Sequence, residues 1–277
     1  MTNTFAKTDH RGILQALDTY GYCVVRQVIS PSLVQELKDE IDHFSDPDRT
    51  LPAPASKFNL TFAEDSRAIW QLFDDPDYLN LRHVLVGDHD VCLHRSASIL
   101  RPPGDPVGGW HSDHCGQRQG PPRHFNDFLN RYSIPSGAWF YLNGSHPDRS
   151  GIAVIEKSHA PNWQAPAGFH LDPERRFIYR DDLGETDGAY NQLDIPGAVP
   201  VISEPGDLIL FSALTYHVNM ATHERRYSCG LALRPKSIKI DVPWDRSAQI
   251  AALKARLPER HHHLLEGYTS LDPDWKT

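Results

Sequence analysis

Hydrophobic and polar positions alternate in two distinct ways along the chain, and the change falls near residue 90. Before it, the periodicity is helical. "DHRGILQALDTY" places Ile13, Leu14 and Leu17 at helical spacing behind an Asp cap, and Gly21 stops the run. "YCVVRQV" reads as a strand. "SPSLVQELKDEIDHF" opens with Ser30 as cap and Pro31 at the first helical position, with Leu33, Val34, Leu37 and Ile41 as its apolar stripe. A Pro-rich loop over 51–56 precedes two further segments, "SRAIWQLF" and "YLNLRHVLVG", that read as helical.

After residue 90, short apolar runs are separated by clusters of turn residues. "DVCLHRSASIL", "GAWFYLNG", "GIAVIEKSH", "GDLILFSALTYHV" and "RYSCGLALRP" each read as one strand, and residues 245–265 read as a terminal helix. Short strands at this spacing predict a sandwich or barrel. The expected fold class is α+β with a mainly β core. The expected organisation is one domain over 1–277: mostly helical support in 1–90, a β core in 91–236 with a lid loop at 114–137, and a helical extension in 237–277.

The chain has 277 residues, enough for one substantial core. Its net charge of −8 argues against a nucleic-acid or anionic-membrane partner. No stretch approaches the roughly 20 apolar residues of a membrane span, and the first residues lack the apolar run of a signal peptide. Cys23, Cys92, Cys115 and Cys229 are scattered without a Cys-x-x-Cys pair, which fits reduced thiols in the cytoplasm.

Sixteen histidines make chance His-x-Asp triplets expected, and the chain holds three of them: His111/Asp113, His146/Asp148 and His170/Asp172. Local context ranks them. In "GGWHSDHCG", His111 and Asp113 at a strand end would face one side, with Ser112 turned away. His146-Pro147-Asp148 lies in a turn, and His170/Asp172 in a Pro- and Gly-rich loop. Two histidines and one carboxylate on one face, with open positions opposite, form the ligand set of non-heme Fe(II) oxygenases. His217, at the end of an apolar run, is either the third ligand or a hydrogen-bonded core histidine. Arg226 and Ser228, two apart on the next strand, make a carboxylate clamp. Arg225 and Arg234 read as surface charges on an edge strand, and the same reading of Arg226 stays open.

In this order "WHSD", "GDLILFSALTYH" and "RYS" resemble the phytanoyl-CoA dioxygenase-type (PhyH-like) branch of the Fe(II)/2-oxoglutarate oxygenases. "DTYGYCVVRQVISPSLVQELKDEID", "ILRPPGD" and "AWFYLNGSHPDRSGIAVIEKSHA" extend the resemblance over most of residues 14–234. It implies a cupin-like double-stranded β-helix, or jelly-roll, with N- and C-terminal helices outside it. It also implies Fe(II) on His111, Asp113 and His217, and 2-oxoglutarate held by Arg226 with Ser228. Trp139, Arg101 and Asn219 are the further co-substrate contacts it implies, and Arg225 is the fallback for Arg226 because the stretch from His217 to the arginine is slightly short. The implied activity consumes O2, hydroxylates a small molecule and releases succinate and CO2. Asp113 stands where related halogenases carry a small residue, which points to oxygenation.

The long polar stretch 114–133 holds Arg118, Arg123, His124, Asn126 and Arg131. Long loops beside a site often set specificity. Arg118, Arg123 and Asn126 are therefore expected to bind a polar or anionic substrate such as an amino acid, carboxylate or phosphonate; a merely solvated loop is the alternative. Its apolar members Phe125, Phe128 and Leu129 would suit a larger metabolite. Two other function classes remain: a non-oxygenase metal enzyme, which would need no Arg-x-Ser clamp, and a non-catalytic binding protein, which would mark itself by losing a ligand.

Overall fold

The computed structural model describes residues 3–113, 135–183, 188–238 and 245–268. Its N-terminal part follows the cap signals. β1 (Thr4–Ala6) leads into α1 (His10–Tyr20), whose first turn is closed by the Asp9 side chain accepting from the Gly12 N–H. Gly21, at φ 84°, ends the helix and turns the chain into β2 (Tyr22–Arg26). α2 (Pro31–Ser45) starts at Ser30, whose Oγ accepts from the Leu33 N–H, and buries Leu33, Val34, Leu37 and Ile41. β3 (Lys57–Asn59) and α3 (Phe62–Asp65) come next. The two segments expected to be helical follow as a 3-10 helix over Ala68–Asp74 and as α4 (Pro76–Val86).

The strands are β4 (Val91–Arg101), β5 (Pro135–Tyr141), β6 (Ile152–Ile155), β7 (Phe169–Leu171), β8 (Ile178–Arg180), β9 (Ala198–Pro200), β10 (Leu208–Ser212), β11 (His217–Asn219) and β12 (Arg226–Pro235). Seven form a major sheet in the order β1-β2-β10-β5-β12-β4-β3, antiparallel except for β1 with β2. A minor sheet runs β11-β6-β9, and β7 pairs with β8. His111 bridges β11 to the chain at Phe177, just before β8.

Strand alternation explains the layers. Cys23 and Val25, Ala138 and Phe140, Leu208 and Leu210, and Tyr227, Cys229 and Leu231 point to one side, where they share a core with α1, α2 and α4. Tyr22 and Val24, Tyr141, Ile209 and Phe211 point to the other side, where they meet Ile152 and Val154 of the minor sheet. The outer side of the minor sheet has its own core of Ala153, Ile155, Tyr216 and Val218 with Trp110. The result is the expected double-stranded β-helix with helices outside it. Among the described residues the two sheets face each other without closing into a barrel.

Four local expectations are corrected. "GDLILFSALTYHV" is two strands in two sheets. Thr215 N–H donates to Ser212 O, and the Thr215 hydroxyl to Gly21 O, so the run turns at 213–216 and crosses from the major to the minor sheet. Phe169–Leu171 is a strand where a loop was expected. The terminal helix breaks at Pro258 into α5 (Ser247–Arg256) and a 3-10 helix over Glu259–Leu265. β12 is central rather than an edge, and every residue of it is buried. Its Arg234, expected at the surface, is 3% exposed and donates to the carbonyls of Ile238 and Gly267, tying down the chain that leads into and out of α5.

Candidate metal and co-substrate site

The segment that carries the His-x-Asp triplet is held on three sides by backbone hydrogen bonds. Trp110 N–H donates to Tyr190 O, Ser112 N–H to Arg176 O and Asp113 N–H to Ala213 O, at 2.8, 2.8 and 2.9 Å. The Trp110 ring is fully buried, and its Nε1 donates to Gln192 O. Ser112 is buried as well and turned toward the carbonyl of Arg175, so His111 and Asp113 share the opposite side.

His111 and His217 are backbone partners, and their rings lie 4.4 Å apart between centroids. Each Nδ1 bonds a carbonyl: Gly109 O at 2.8 Å for His111, Thr215 O at 3.0 Å for His217. A carbonyl only accepts, so Nδ1 carries the proton on both rings and both Nε2 lone pairs are left for the site, the tautomer a metal ligand needs. His217 Nε2 is 3.8 Å from Asp113 Oδ1. One ligand atom from each of His111, Asp113 and His217 lies within 4.8 Å of the others.

The electrostatics agree with a cation site. Burial, reinforced by the charge of His111, brings His217 down to about 4 against the opposing pull of Asp113. Burial pushes the Asp113 carboxyl up, but His217, His111, Arg95 and Arg176 together hold it below the usual carboxylate range. At neutral pH His217 is thus a neutral imidazole and Asp113 a carboxylate. The other two triplets make no such cluster: His146 pairs with its own Asp148 at 3.5 Å, and His170 with Asp181 at 2.8 Å.

A cavity of about 320 Å³ opens on this cluster, lined among others by His111, Asp113, His217, Trp139, Tyr141, Asn219 and Ser228. Against Asn219 and Tyr141 of this lining sits Arg226, 1% exposed. Its Nη1 donates to Asn219 Oδ1 at 2.7 Å, and its guanidinium carbon lies 5.3 Å from the centre of the Tyr141 ring. Nε and Nη2 of Arg226 have no partner among the described residues. Burial brings the group down to about 10, so it stays charged at neutral pH. A buried guanidinium with two unanswered donors and no carboxylate partner among the described residues suits an external anion.

The remaining predicted residues divide. Trp139 is half-buried in the cavity wall on β5, and Asn219 and Ser228 also line the cavity. Arg101 pairs with Arg226 in register, but its Nε donates to Asp105 at 2.7 Å and its Nη2 to Pro106 O, so it braces the turn before the His-x-Asp segment. Arg225 is no surface charge and no clamp. It donates to Asp42 and Asp46 of the α2 region, and Tyr227 Oη donates to Asp42 as well. Arg118, Arg123 and Asn126 lie outside the described residues. Sequence reasoning passed over Tyr141, Arg95 and Phe58, all of which line the cavity. Period-two alternation with Trp139 would have found Tyr141, and alternation along β4 would have found Arg95.

The profile of the phytanoyl-CoA dioxygenase (PhyH) family matches residues 17–225, a span that contains all three candidate ligands and ends one residue before Arg226. No curated protein matches the chain. Among solved structures, HygX from Streptomyces hygroscopicus with nickel and 2-oxoglutarate bound is 18% identical, with 82% of this chain and 87% of that one covered at a TM-score of 0.60. The epimerase SnoN from nogalamycin biosynthesis, in complex with Fe3+, alpha ketoglutarate and nogalamycin RO, is 16% identical over 96% of both chains at 0.57. EvdO2 from Micromonospora carbonacea var. aurantiaca, complexed with 2-oxoglutarate, is 17% identical over 84% of this chain and 97% of that one at 0.50. These likenesses establish the shared fold. With the profile matching over most of its length, this chain belongs to the phytanoyl-CoA dioxygenase (PhyH) family.

Proposed function

We propose that the chain is an Fe(II)/2-oxoglutarate-dependent dioxygenase that hydroxylates a small molecule with release of succinate and CO2. The observation that carries this reading is the convergence of two Nε2 lone pairs and one carboxylate beside a buried arginine with two donors unpartnered among the described residues. The solved structures of similar fold support it, since HygX and SnoN hold 2-oxoglutarate together with a metal ion.

In this reading His111, Asp113 and His217 hold Fe(II), and Arg226 with Ser228 holds the distal carboxylate of 2-oxoglutarate. Asn219 fixes one end of the guanidinium through Nη1, and Tyr141 supports its face. Trp139 walls the cavity and excludes water. Arg101, opposite Arg226 in the ladder, keeps the 101–106 turn in place through Nε and Nη2, and its buried Nη1, without a partner among the described residues, is left to meet the co-substrate. Once bound, iron and 2-oxoglutarate together supply the oxidising power toward O2 and a substrate C–H bond. Substrate contacts from Arg118, Arg123 and Asn126 belong to the same proposal.

The test is the visible spectrum of the anaerobic protein with Fe(II) and 2-oxoglutarate. A weak charge-transfer band that His111→Ala abolishes and Arg226→Ala weakens supports the reading; iron binding without such a band overturns it. Because SnoN is an epimerase, stereochemical inversion is the second reading. Product that gains no oxygen, despite stoichiometric succinate, would select it.

A further inference from the structure

Strand register lines up one row of residues across the major sheet. Phe58 of β3 faces Ile99 of β4, Ile99 faces Ser228 of β12, and Ser228 faces Tyr141 of β5. Directly opposed residues point to the same side of a sheet, and all four line the cavity that holds the three candidate ligands. Neighbouring strands are about 4.8 Å apart, so Phe58 lies roughly 10 Å from Ser228. Its strand, β3, is an edge of the sheet. Asn59 turns the other way: its side chain donates to Asp65 and accepts from the Thr61 N–H. Leu60, two residues beyond Phe58, lines the cavity again, as does Ala97, two residues before Ile99.

A single exposed apolar side chain is ordinary on a protein surface. Phe58 differs in its place: it is 61% exposed, and it stands in the wall of the candidate site. The proposed clamp of the co-substrate, Arg226 with Ser228, lies two strands further into the sheet, which leaves the Phe58 ring for another molecule. The side chains of Phe58, Leu60, Ala97 and Ile99 offer no hydrogen bond, so this part of the wall selects by apolar contact. A phenylalanine ring gains most from a second ring, stacked with an offset or edge-on. Resting on the proposed function, we infer that Phe58 is a specificity-determining residue at the mouth of the cavity, and that the substrate presents an aromatic ring to it. Leu60 and Ile99 complete the platform on which that ring rests. The substrate class is thus a molecule with an aromatic body, held at the sheet edge while its reacting carbon faces the metal ligands.

The experiment compares 2-naphthol with trans-decahydro-2-naphthol, two neutral probes that share one carbon skeleton and differ in aromaticity. Each is titrated into the metal-free protein by calorimetry, and into the anaerobic Fe(II) and 2-oxoglutarate complex by its shift of the charge-transfer band. The expected result is that 2-naphthol binds roughly threefold or more tighter than the saturated probe and shifts the band. Phe58→Ala is expected to remove that preference, and Phe58→Trp to keep it. A general loss of structure in a variant would weaken both probes alike and leave their ratio in place, whereas loss of stacking changes the ratio. Equal affinity of the two probes in the wild type, no binding of either, a ratio unchanged in Phe58→Ala, or 2-naphthol binding that leaves an existing band unmoved overturns the inference. Absence of the band before any probe is added is a failure of the proposed function; the probe ratio in the metal-free protein then still decides whether Phe58 holds a ring.

Discussion

His111 and His217 exchange both backbone hydrogen bonds, 3.1 Å from His111 N–H to His217 O and 2.8 Å in return. In an antiparallel ladder this is the closed pairing that fixes two residues directly opposite each other. The distance between the two rings is therefore set by the sheet and not by side-chain freedom. Asp113 joins them because residues two apart share a face. The site is assembled from backbone register before any ion arrives.

Preassembly makes metal binding a stability measurement. Fe(II) at about 100 times its dissociation constant is expected to stabilise the protein by about 2.7 kcal/mol. Replacing one ligand, as in His217→Ala or His111→Ala, is expected to weaken affinity by more than about 100-fold, beyond the effect of losing an outer hydrogen-bonding partner. Anaerobic thermal denaturation with and without Fe(II) checks both. A metal-induced rise in Tm that persists in both variants would place the ion elsewhere.

Two adjacent arginines are expected to respond in opposite ways. Arg225 answers two buried carboxylates and links β12 to α2. Removing one partner of such a network strands the others, so Arg225→Ala is expected to cost about 3 kcal/mol. Arg226 is buried with two donors unpartnered among the described residues, a cost that the proposed co-substrate carboxylate would offset. Arg226→Met is expected to leave stability unchanged or raised while 2-oxoglutarate affinity falls. Urea midpoints at constant m-value separate the two, and calorimetric titration of 2-oxoglutarate reads the second.

What could be read from the sequence was local. Caps at Asp9 and Ser30, the Gly21 stop and the two-residue spacings in "WHSD" and "RYS" are short-range signals, and the structure keeps all of them. The break in "GDLILFSALTYHV" was not readable, because an unbroken apolar run has the same pattern whether it stays in one sheet or crosses to another. Arg225 misled for a different reason. Its partners Asp42 and Asp46 lie about 180 residues away in sequence, and nothing in "ERRYSCG" announces them. Arg95 stood in a predicted strand, but its place in the cavity wall depends on which strand pairs beside it.

Asp46 should give the fold an acid limit. Burial pushes its carboxyl up, but the N–H groups of Leu51 and Thr50 and the Arg225 guanidinium outweigh this and hold it below the usual carboxylate range. A depressed folded-state value means stability that is complete above the unfolded value near 3.9 and lost as pH falls through the lower folded value. Urea midpoints are thus expected to drop below about pH 4, with a smaller drop in Arg225→Ala, which has already lost part of the interaction. Equal acid sensitivity in the two proteins would remove Arg225 from the cause.

Gly230 sits where Trp139 lies across β12. A Cβ there would meet Ala138 O at 2.6 Å and the Trp139 ring at 3.1 Å. The carbonyl belongs to the β5 partner strand and cannot swing aside, so the strain must be taken up by strand displacement or by the indole. Gly230→Ala is expected to destabilise by about 1–3 kcal/mol, the usual range for overpacking a core. The indole and Ser228 line the same cavity as the three ligands, so the displacement is expected to weaken 2-oxoglutarate binding while Fe(II) affinity, set by the His111–His217 ladder on the opposite sheet, holds. Trp139→Phe in the Gly230→Ala background gives the ring room to yield. Recovery of 2-oxoglutarate affinity in that double variant identifies the indole as the group displaced; no recovery assigns the strain to the Ala138 carbonyl and the β5–β12 pairing.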